Sequence, residues 1–386
     1  MIQPSGPAEL NLQLLLREMV ARGASDLHIT AGQPPKLRID GSLSHQAAEQ
    51  VLTPQDTLKL TYSILTENQK KRFETEDELD FSFGLEDLAR FRGNAYRQRG
   101  CVGLAIRQIP VKIRTLDELR MPPVLKKLAD RPRGLVLVTG PTGSGKSTTL
   151  AAMVDKINKE RRGHILTIED PIEFIHTHQG CTVNQREVGT DTQSFQHGLK
   201  HALRQDPDVI LVGELRDLET VQAALTISET GHLCLATLHT NSAAETINRV
   251  IDVFPSHQQS QVRTQLAFVL EGVITQTLLP KAQGKGRVMA AELLVVTPAI
   301  RALIRDDKVH QIYSAMQSGK KFGMQTLNDA LYSLYMSRQV AVEECLRVTG
   351  DQTEFLRMIG LTPEEVAEGK TTPSAPRPVA AGAGRR

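Results

Sequence analysis

One segment of the chain, residues 140–147, constrains the fold more than any other. Its sequence, GPTGSGKS, fits the phosphate-loop pattern G-x-x-x-x-G-K-S/T. An apolar run at residues 134–139 precedes it, and a helix-like stretch at residues 148–157 follows it. A strand, a glycine turn and a helix in this order aim the first amides of the helix at an anion. A chance glycine-rich turn would rarely carry both flanks, so we predict that the chain binds a nucleoside triphosphate.

The residues of this loop have distinct expected roles. The glycines let the backbone curl around the phosphates. Lys146 is expected to reach the β- and γ-phosphates, and the hydroxyl of Ser147 is expected to bind Mg²⁺. The predicted nucleotide-binding residues are Gly140, Pro141, Thr142, Gly143, Ser144, Gly145, Lys146, Ser147 and Thr148.

Composition restricts the class of protein. The net charge of +2 over 386 residues is too small for a surface built to hold nucleic acid, and aromatic residues make up only 4%. The four cysteines are spaced singly, which suits a reducing cytosol better than a disulfide scaffold. The sequence contains neither a bilayer-spanning run nor the order of a signal peptide. We therefore expect a soluble, cytoplasmic protein without a nucleic-acid partner.

The pattern along the chain predicts two folded regions with a helical extension. Helical spacing at residues 12–20 and alternation near residues 79–83 and 102–106 predict a small α/β domain. Short apolar runs that alternate with helical stretches predict an α/β domain with a largely parallel sheet. The predicted buried strands are residues 135–138, 165–168, 209–212 and 233–237. The predicted boundaries are 1–110 for the first domain, 111–123 for a linker, 124–296 for the second domain, 297–370 for the helical region and 371–386 for a disordered tail.

Carboxylates follow two of the predicted strands. Glu214 comes after the strand at 209–212, where a second magnesium ligand is expected, although an ion pair with Arg216 is the alternative. Glu169, Asp170 and Glu173 cluster where another strand ends at Pro171. One of these three is a candidate to orient or deprotonate the attacking water, and the others are candidates to cap the turn.

Histidines and arginines supply further candidates. His232 and His239 lie at the two ends of one predicted strand and on its opposite faces, so they are not expected to share a metal. A γ-phosphate contact is feasible for His239, which lies among polar residues at the end of the strand. The densest basic stretch contains Arg90, Arg92, Arg97, Arg99 and Arg107. It is interpreted as a solvated face, a nucleic-acid patch or a source of arginine fingers. The last interpretation is favoured because these arginines lie in a different domain from the phosphate loop.

Together these motifs resemble one family, the pilus retraction ATPases (the PilT family) among the secretion-type ATPases. The resemblance extends from about residue 24 to about residue 360. Beyond the phosphate loop and the histidine-bearing strand, it is most specific at residues 91–95, 168–174, 183–188, 204–208 and 212–217. It implies a small PAS-like N-terminal α/β domain, a RecA-like P-loop ATPase domain and a helical C-terminal extension.

The resemblance also implies ATP as substrate, Mg²⁺ as cofactor and roles for individual residues. Ser147 and Glu214 become the magnesium residues, and Arg204 becomes a further nucleotide-binding candidate. The implied catalytic residues are Lys146, Glu173, Glu214, His239, Arg92 and Arg107.

Two features favour pilus retraction over extension or secretion. The sequence lacks the tetracysteine zinc element of the extension and secretion ATPases. Residues 299–306, AIRALIRD, stand where retraction ATPases carry AIRNLIRE, with departures at Ala302 and Asp306. The resemblance therefore implies a cytoplasmic homohexamer that docks on an inner-membrane platform protein and drives twitching motility. The alternatives are a secretion or extension ATPase, an accessory retraction paralogue and a hexameric nucleic-acid motor.

Overall fold

The computed structural model describes residues 10–39, 41–85, 88–109, 112–284 and 286–367. The chain forms two compact units. The first comprises the chain up to Ile113 together with Pro171–Ile175, and the second comprises Arg114–Asp170 and the chain from His176 onward. The predicted disordered tail at 371–386 lies outside the described residues.

The first unit is an antiparallel sheet of six strands with three helices. Its strand order is β3-β2-β1-β6-β5-β4, and its interior is filled by side chains such as Leu16, Phe73 and Phe91. The helices are α1 (Leu12–Ala21), α2 (Pro54–Tyr62) and α3 (Glu67–Glu76). The strands are β1 (Asp26–Ile29), β2 (Lys36–Ile39), β3 (Ser42–Gln46), β4 (Glu78–Leu85), β5 (Ala89–Gln98) and β6 (Cys101–Ile109).

The predicted helix at residues 12–20 and the strands near 79–83 and 102–106 are confirmed. The sequence did not predict β5, which contains most of the arginine cluster. Along this strand buried Phe91, Gly93 and Ala95 alternate with half-buried Arg92 and Asn94. The alternation along β5 was not recognised in the sequence because charged side chains occupy its polar positions. Two of its buried members are a glycine and an alanine, which are weak apolar signals.

The second unit is a seven-stranded sheet in the order β13-β12-β7-β11-β10-β8-β9. Its strands are β7 (Gly134–Thr139), β8 (His164–Glu169), β9 (Thr182–Glu187), β10 (Val209–Val212), β11 (Leu233–Leu238), β12 (Leu270–Pro280) and β13 (Arg287–Val295). Neighbouring strands are parallel from β12 to β9, and β13 is antiparallel to β12. The prediction of a largely parallel sheet is confirmed, as are its four buried strands.

Helices cover both faces of this sheet, and each face has its own apolar core. The helices up to β12 are α4 (Val124–Ala129), α5 (Lys146–Glu160), α6 (Phe195–Ala202), α7 (Leu218–Glu229), α8 (Ala243–Asp252) and α9 (Ser256–Val269). The predicted helical character from residue 297 is also confirmed. Those helices are α10 (Pro298–Arg305), α11 (Ile312–Ser318), α12 (Leu327–Met336), α13 (Val342–Val348), α14 (Gln352–Ile359) and α15 (Pro363–Ala367).

Strand β12 was missed by the sequence patterns although it pairs directly with β7, the strand before the phosphate loop. Helix α9 ends at Val269 and β12 begins at Leu270. Because no glycine or proline separates the two elements, the boundary carries no turn signal that a sequence reader could use.

The carboxyl ends of the parallel strands lie along one edge of the sheet. Thr139 of β7 is the register partner of Leu238 of β11, and Val212 of β10 is the partner of Ala236. The segments that follow β7, β10 and β11 therefore leave the sheet side by side, which is where open α/β sheets bind ligands.

Among the helices of the described residues, none is both long and apolar enough to cross a bilayer.

The chain re-enters the second unit at a buried histidine, His176. His176 is 9% exposed, and its Nδ1 has no hydrogen-bond partner within the described part of the chain. Burial lowers the pKa of this imidazole from 6.5 to about 4. The folded state therefore favours the neutral ring, as expected when a charge would lose its hydration.

We expect His176 to make the protein less stable in weak acid. The unfolded state takes up the proton near pH 6.5 and the folded state only near pH 4, so stability is present above 6.5 and is lost as the pH falls toward 4. The loss amounts to about 3 kcal/mol. Urea unfolding of His176→Gln between pH 7 and pH 4 should show a flatter dependence than the wild type. His257→Gln, at an exposed position on α9, should keep the wild-type slope; equal slopes in all three proteins would contradict the assignment.

Candidate active site

The phosphate loop connects β7 to α5 and is shaped by three glycines. Gly140, Gly143 and Gly145 have φ values of 132°, 78° and 91°, in the region that favours glycine. A Cβ atom on Gly140 would lie 2.2 Å from the carbonyl oxygen of Gln276 on β12. The loop thus fits tightly against the neighbouring strand, and Gly145 directly precedes the first residue of α5, Lys146.

Lys146 spans the inside of this loop. Its ammonium group donates to the carbonyl oxygens of Gly140 at 2.8 Å and Pro141 at 3.1 Å. The same nitrogen lies 3.4 Å from Nδ1 of His239, which follows β11. The side chain is largely buried, at 9% exposure for the residue. A cation is therefore held at the amino-terminal end of a helix, the place where phosphate groups bind best.

Glu214 and His239 extend this contact across three strand ends. Nε2 of His239 lies 3.4 Å from Oε1 of Glu214, and Nη2 of Arg216 lies 2.8 Å from Oε2. The ammonium of Lys146 can only donate, so its partner Nδ1 must accept and Nε2 must carry the proton toward Glu214. Hydrogen bonding to Glu214 raises the pKa of the Arg216 guanidinium. Lys146, His239 and Glu214, separated along the chain, thus form one continuous polar series.

This geometry addresses the two interpretations of Glu214. The ion pair with Arg216 exists, so the alternative is realised. The same carboxylate also lies 3.4 Å from His239, whose other ring nitrogen lies 3.4 Å from the ammonium group of Lys146. Glu214 is therefore positioned next to the phosphate loop while Arg216, which is exposed, neutralises it from the outer side.

The donor atoms fit Mg²⁺ brought in with a nucleotide. Within the described residues, no group of three or more His, Cys, Asp or Glu side chains could hold a metal alone. Ser147 and Glu214 offer a hydroxyl and a carboxylate, the oxygen donors that Mg²⁺ prefers. Mg²⁺ usually keeps several waters and takes its other ligands from substrate phosphates, so two protein groups suffice.

The three carboxylates at and after the end of β8 are divided between the two units. Glu169 accepts hydrogen bonds from the Thr167 hydroxyl at 2.6 Å and from Nε2 of Gln185 at 3.3 Å. Asp170 is exposed and is the last residue of the second unit before the chain enters the first unit. Glu173 is also exposed and belongs to the first unit. The side chain of Glu169 is thus held by side chains of β8 and β9, whereas Glu173 has the exposure that a residue acting on a ligand needs.

The structure brings Arg92 and Arg107 together in the first unit. They are register partners on β5 and β6, on one face of the sheet. Nε of Arg107 lies 2.8 Å from Oδ1 of Asp26, and Nη2 of Arg92 lies 3.6 Å from Oδ1 of Asp80. Arg204 is exposed in the turn after α6.

The two arginines of the 299–306 element have different surroundings. On α10, Arg301 donates to the carbonyl oxygen of Phe268 at 2.6 Å and pairs with Glu271 at 2.8 Å. Arg305 pairs with its neighbour Asp306 at 3.1 Å. The aspartate that departs from the family pattern thus contacts the second arginine.

Sequence patterns missed the residues that support the loop from β12. Gln276 is 2% exposed and forms hydrogen bonds with Ser144 of the loop and Thr149 of α5. Thr275 shares a 2.8 Å hydrogen bond with Thr139, at the end of β7. The polar run Thr275–Thr277 within strand β12 was the available signal, but its meaning depended on a pairing with β7 that local patterns do not reveal.

Comparison with known proteins shows the family of the chain. The family model "Type II/IV secretion system protein" matches residues 3–347. The "Type IV pilus retractation ATPase PilT" of Pseudomonas aeruginosa is 53% identical over 325 residues, which cover 84% of this chain and 94% of that protein. The "Type IV pilus ATPase PilU" of the same organism is 44% identical, over 93% of this chain and 94% of that protein.

A solved structure shows the same fold. The crystal structure of the pilus retraction motor PilT with bound ADP matches with a TM-score of 0.86 and 49% identity, covering 90% of this chain and 100% of that one. The predicted fold class, family and ATPase activity are thereby confirmed. The chain belongs to the type II/IV secretion system protein family and, within it, to the pilus retraction ATPases.

Proposed function

We propose that this protein is an ATP-hydrolysing motor that retracts type IV pili. The observation that carries the chemical part is the series Lys146–His239–Glu214, which links the phosphate loop to the ends of two other strands. The relative named as a pilus retraction ATPase supports the mechanical part, since the similarity covers nearly all of that protein.

At the phosphate loop, Lys146 neutralises the β- and γ-phosphates of ATP, exchanging its bonds to the loop carbonyls for bonds to phosphate oxygens. Ser147 and Glu214 would hold the Mg²⁺ that accompanies ATP, and the ion would neutralise charge on the β- and γ-phosphates. His239 lies between the Lys146 ammonium and the Glu214 carboxylate, 3.4 Å from each. It contacts the γ-phosphate and so distinguishes ATP from ADP. The remaining loop residues between 140 and 148 supply backbone amides, except Pro141, which has no N–H.

Groups from other parts of the chain complete the site. Glu173 orients the attacking water, and Arg92 and Arg107 neutralise the charge that develops on the transferred phosphoryl group. Arg204 is a further nucleotide contact. The support is chemical: Glu173 is an exposed carboxylate, and Arg92 and Arg107 form an adjacent pair held by Asp80 and Asp26. A guanidinium carries five N–H donors, so an arginine that pairs with an aspartate can also donate to a phosphate.

The working form is a homohexamer at the base of the pilus. It lies on the cytoplasmic face of the inner membrane, where ATP is available, and is held there by the platform protein. Hydrolysis then drives the mechanical step, because the γ-phosphate is present only before hydrolysis. No nucleic acid takes part.

Deleting the gene should leave cells with accumulated, unretracted pili and without twitching motility. Plasmid-borne wild type should restore both, whereas Lys146→Ala and Arg92→Ala should not. Surface pilin is measured after shearing, and twitching is measured as the zone beneath agar. Normal twitching with normal surface pilin in the deletion strain would contradict the motor role. Lost twitching without pilin accumulation would favour an extension ATPase, and only a partial effect would favour an accessory retraction paralogue.

A further inference from the structure

We propose that Gln276 is a positioning residue that fixes the backbone of the phosphate loop for nucleotide binding. The inference rests on the proposed nucleotide site. Gln276 lies on β12, far from the loop in sequence, and its side chain is almost completely buried at 2% exposure. A buried amide of this kind is retained only where its hydrogen-bonding groups are satisfied.

Both polar atoms of the Gln276 side-chain amide form hydrogen bonds, one with the phosphate loop and one with α5. Nε2 donates to the carbonyl oxygen of Ser144 at 2.8 Å, and Oε1 accepts from the hydroxyl of Thr149 at 2.9 Å. The orientation of the amide is determined, because the Ser144 carbonyl can only accept. One side chain thus joins the loop to the first turn of α5.

The bond to Ser144 has a consequence for the next amide. The carbonyl of Ser144 and the N–H of Gly145 belong to one planar trans peptide and point in opposite directions. Because Gln276 draws the carbonyl toward β12, the Gly145 N–H is directed away from β12. Amides at this end of a helix have no intrahelical partner and bind phosphate oxygens. Gln276 therefore orients a phosphate-binding amide without touching the nucleotide.

The backbone of Gln276 also supports the phosphate loop. Its carbonyl oxygen would lie 2.2 Å from a Cβ atom on Gly140, so the beginning of the loop also rests on this residue. The preceding Thr275 is tied to Thr139 by a 2.8 Å hydrogen bond between hydroxyls. Strand β12 is consequently held in place beneath the loop, and the Gln276 side chain transmits that position to Ser144.

The test measures binding of a fluorescent ADP derivative, mant-ADP, to the full-length protein. Gln276→Ala should raise the dissociation constant about tenfold, since the loop loses a buried hydrogen bond that preorganises it. The KM for ATP should rise by a similar factor with little change in kcat, because the lost interaction supports bound substrate and transition state alike. Gln325→Ala is the matched control, since Gln325 also donates to a backbone carbonyl, that of Ala291 at 2.9 Å, outside the loop.

Two more variants separate positioning from packing. Gln276→Glu fills the same volume but sets an oxygen against the Ser144 carbonyl, so it should weaken mant-ADP binding at least as much as Gln276→Ala. Thr149→Val should weaken binding about threefold and show a non-additive effect with Gln276→Ala. If the Gln276 variants fail to fold, Thr149→Val alone tests whether the hydrogen bond to Gln276 supports nucleotide binding.

Wild-type affinity in a folded Gln276→Ala protein, or in Gln276→Glu, would overturn the positioning role. So would additive effects in the double variant. Absence of mant-ADP binding in the wild type would instead contradict the proposed nucleotide site itself, which keeps the two failures distinct.

Discussion

Replacing Lys146 by alanine is expected to abolish ATP hydrolysis. The ammonium group is the cation that lies inside the phosphate loop, bonded to the carbonyls of Gly140 and Pro141. Removing a positioned charge from a largely buried site costs roughly a thousandfold in turnover, because no solvent group replaces it. Phosphate release at saturating ATP measures the effect, and a thermal melt confirms that the variant is folded.

A lysine further along the same helix provides the control. Lys159 on α5 pairs with Asp155 at 2.6 Å and is 47% exposed. Asp155 is buried but also accepts a hydrogen bond from Nε2 of Gln179 at 3.3 Å, so its carboxylate keeps a partner when Lys159 is removed. Lys159→Ala should therefore retain wild-type turnover. A Lys146→Ala protein whose turnover stays within tenfold of the wild type would remove Lys146 from the catalytic assignment.

Replacing Glu173 by glutamine is expected to stop hydrolysis while leaving nucleotide binding intact. The amide has nearly the same shape as the carboxylate but cannot accept a proton from the attacking water. Loss of a general base typically lowers turnover by about a hundredfold to ten-thousandfold. Phosphate release should fall by that amount, while the mant-ADP dissociation constant stays at the wild-type value.

The neighbouring acids make this experiment discriminating. Glu169→Gln and Asp170→Asn change the other two carboxylates of the cluster in the same way. Glu169 is engaged by Thr167 and Gln185, so its amide should affect thermal stability more than turnover. If Glu169→Gln shows the larger loss of turnover with binding intact, the catalytic role belongs to Glu169 and not to Glu173.

Much of the second unit was predictable because its signals are local. The phosphate loop depends on residues adjacent in the chain, and the four buried strands appear as short apolar runs. Strand β5 was missed because its arginines masked the alternation, and β12 because it follows α9 without a turn residue. In both cases the strand is recognised by its pairing partners, and pairing is a long-range property.

The sequence by itself determined the nature of the protein: a phosphate loop, the α/β pattern around it and motifs sufficient to identify the family. Only the tertiary structure decided which groups act together. It joined Lys146, His239 and Glu214 through contacts at 3.4 Å, and it placed Gln276 beneath the loop. The physical reason is that parallel strands distant in sequence end at the same edge of a sheet. Which strands become neighbours depends on packing of the whole core, and no local pattern records that order.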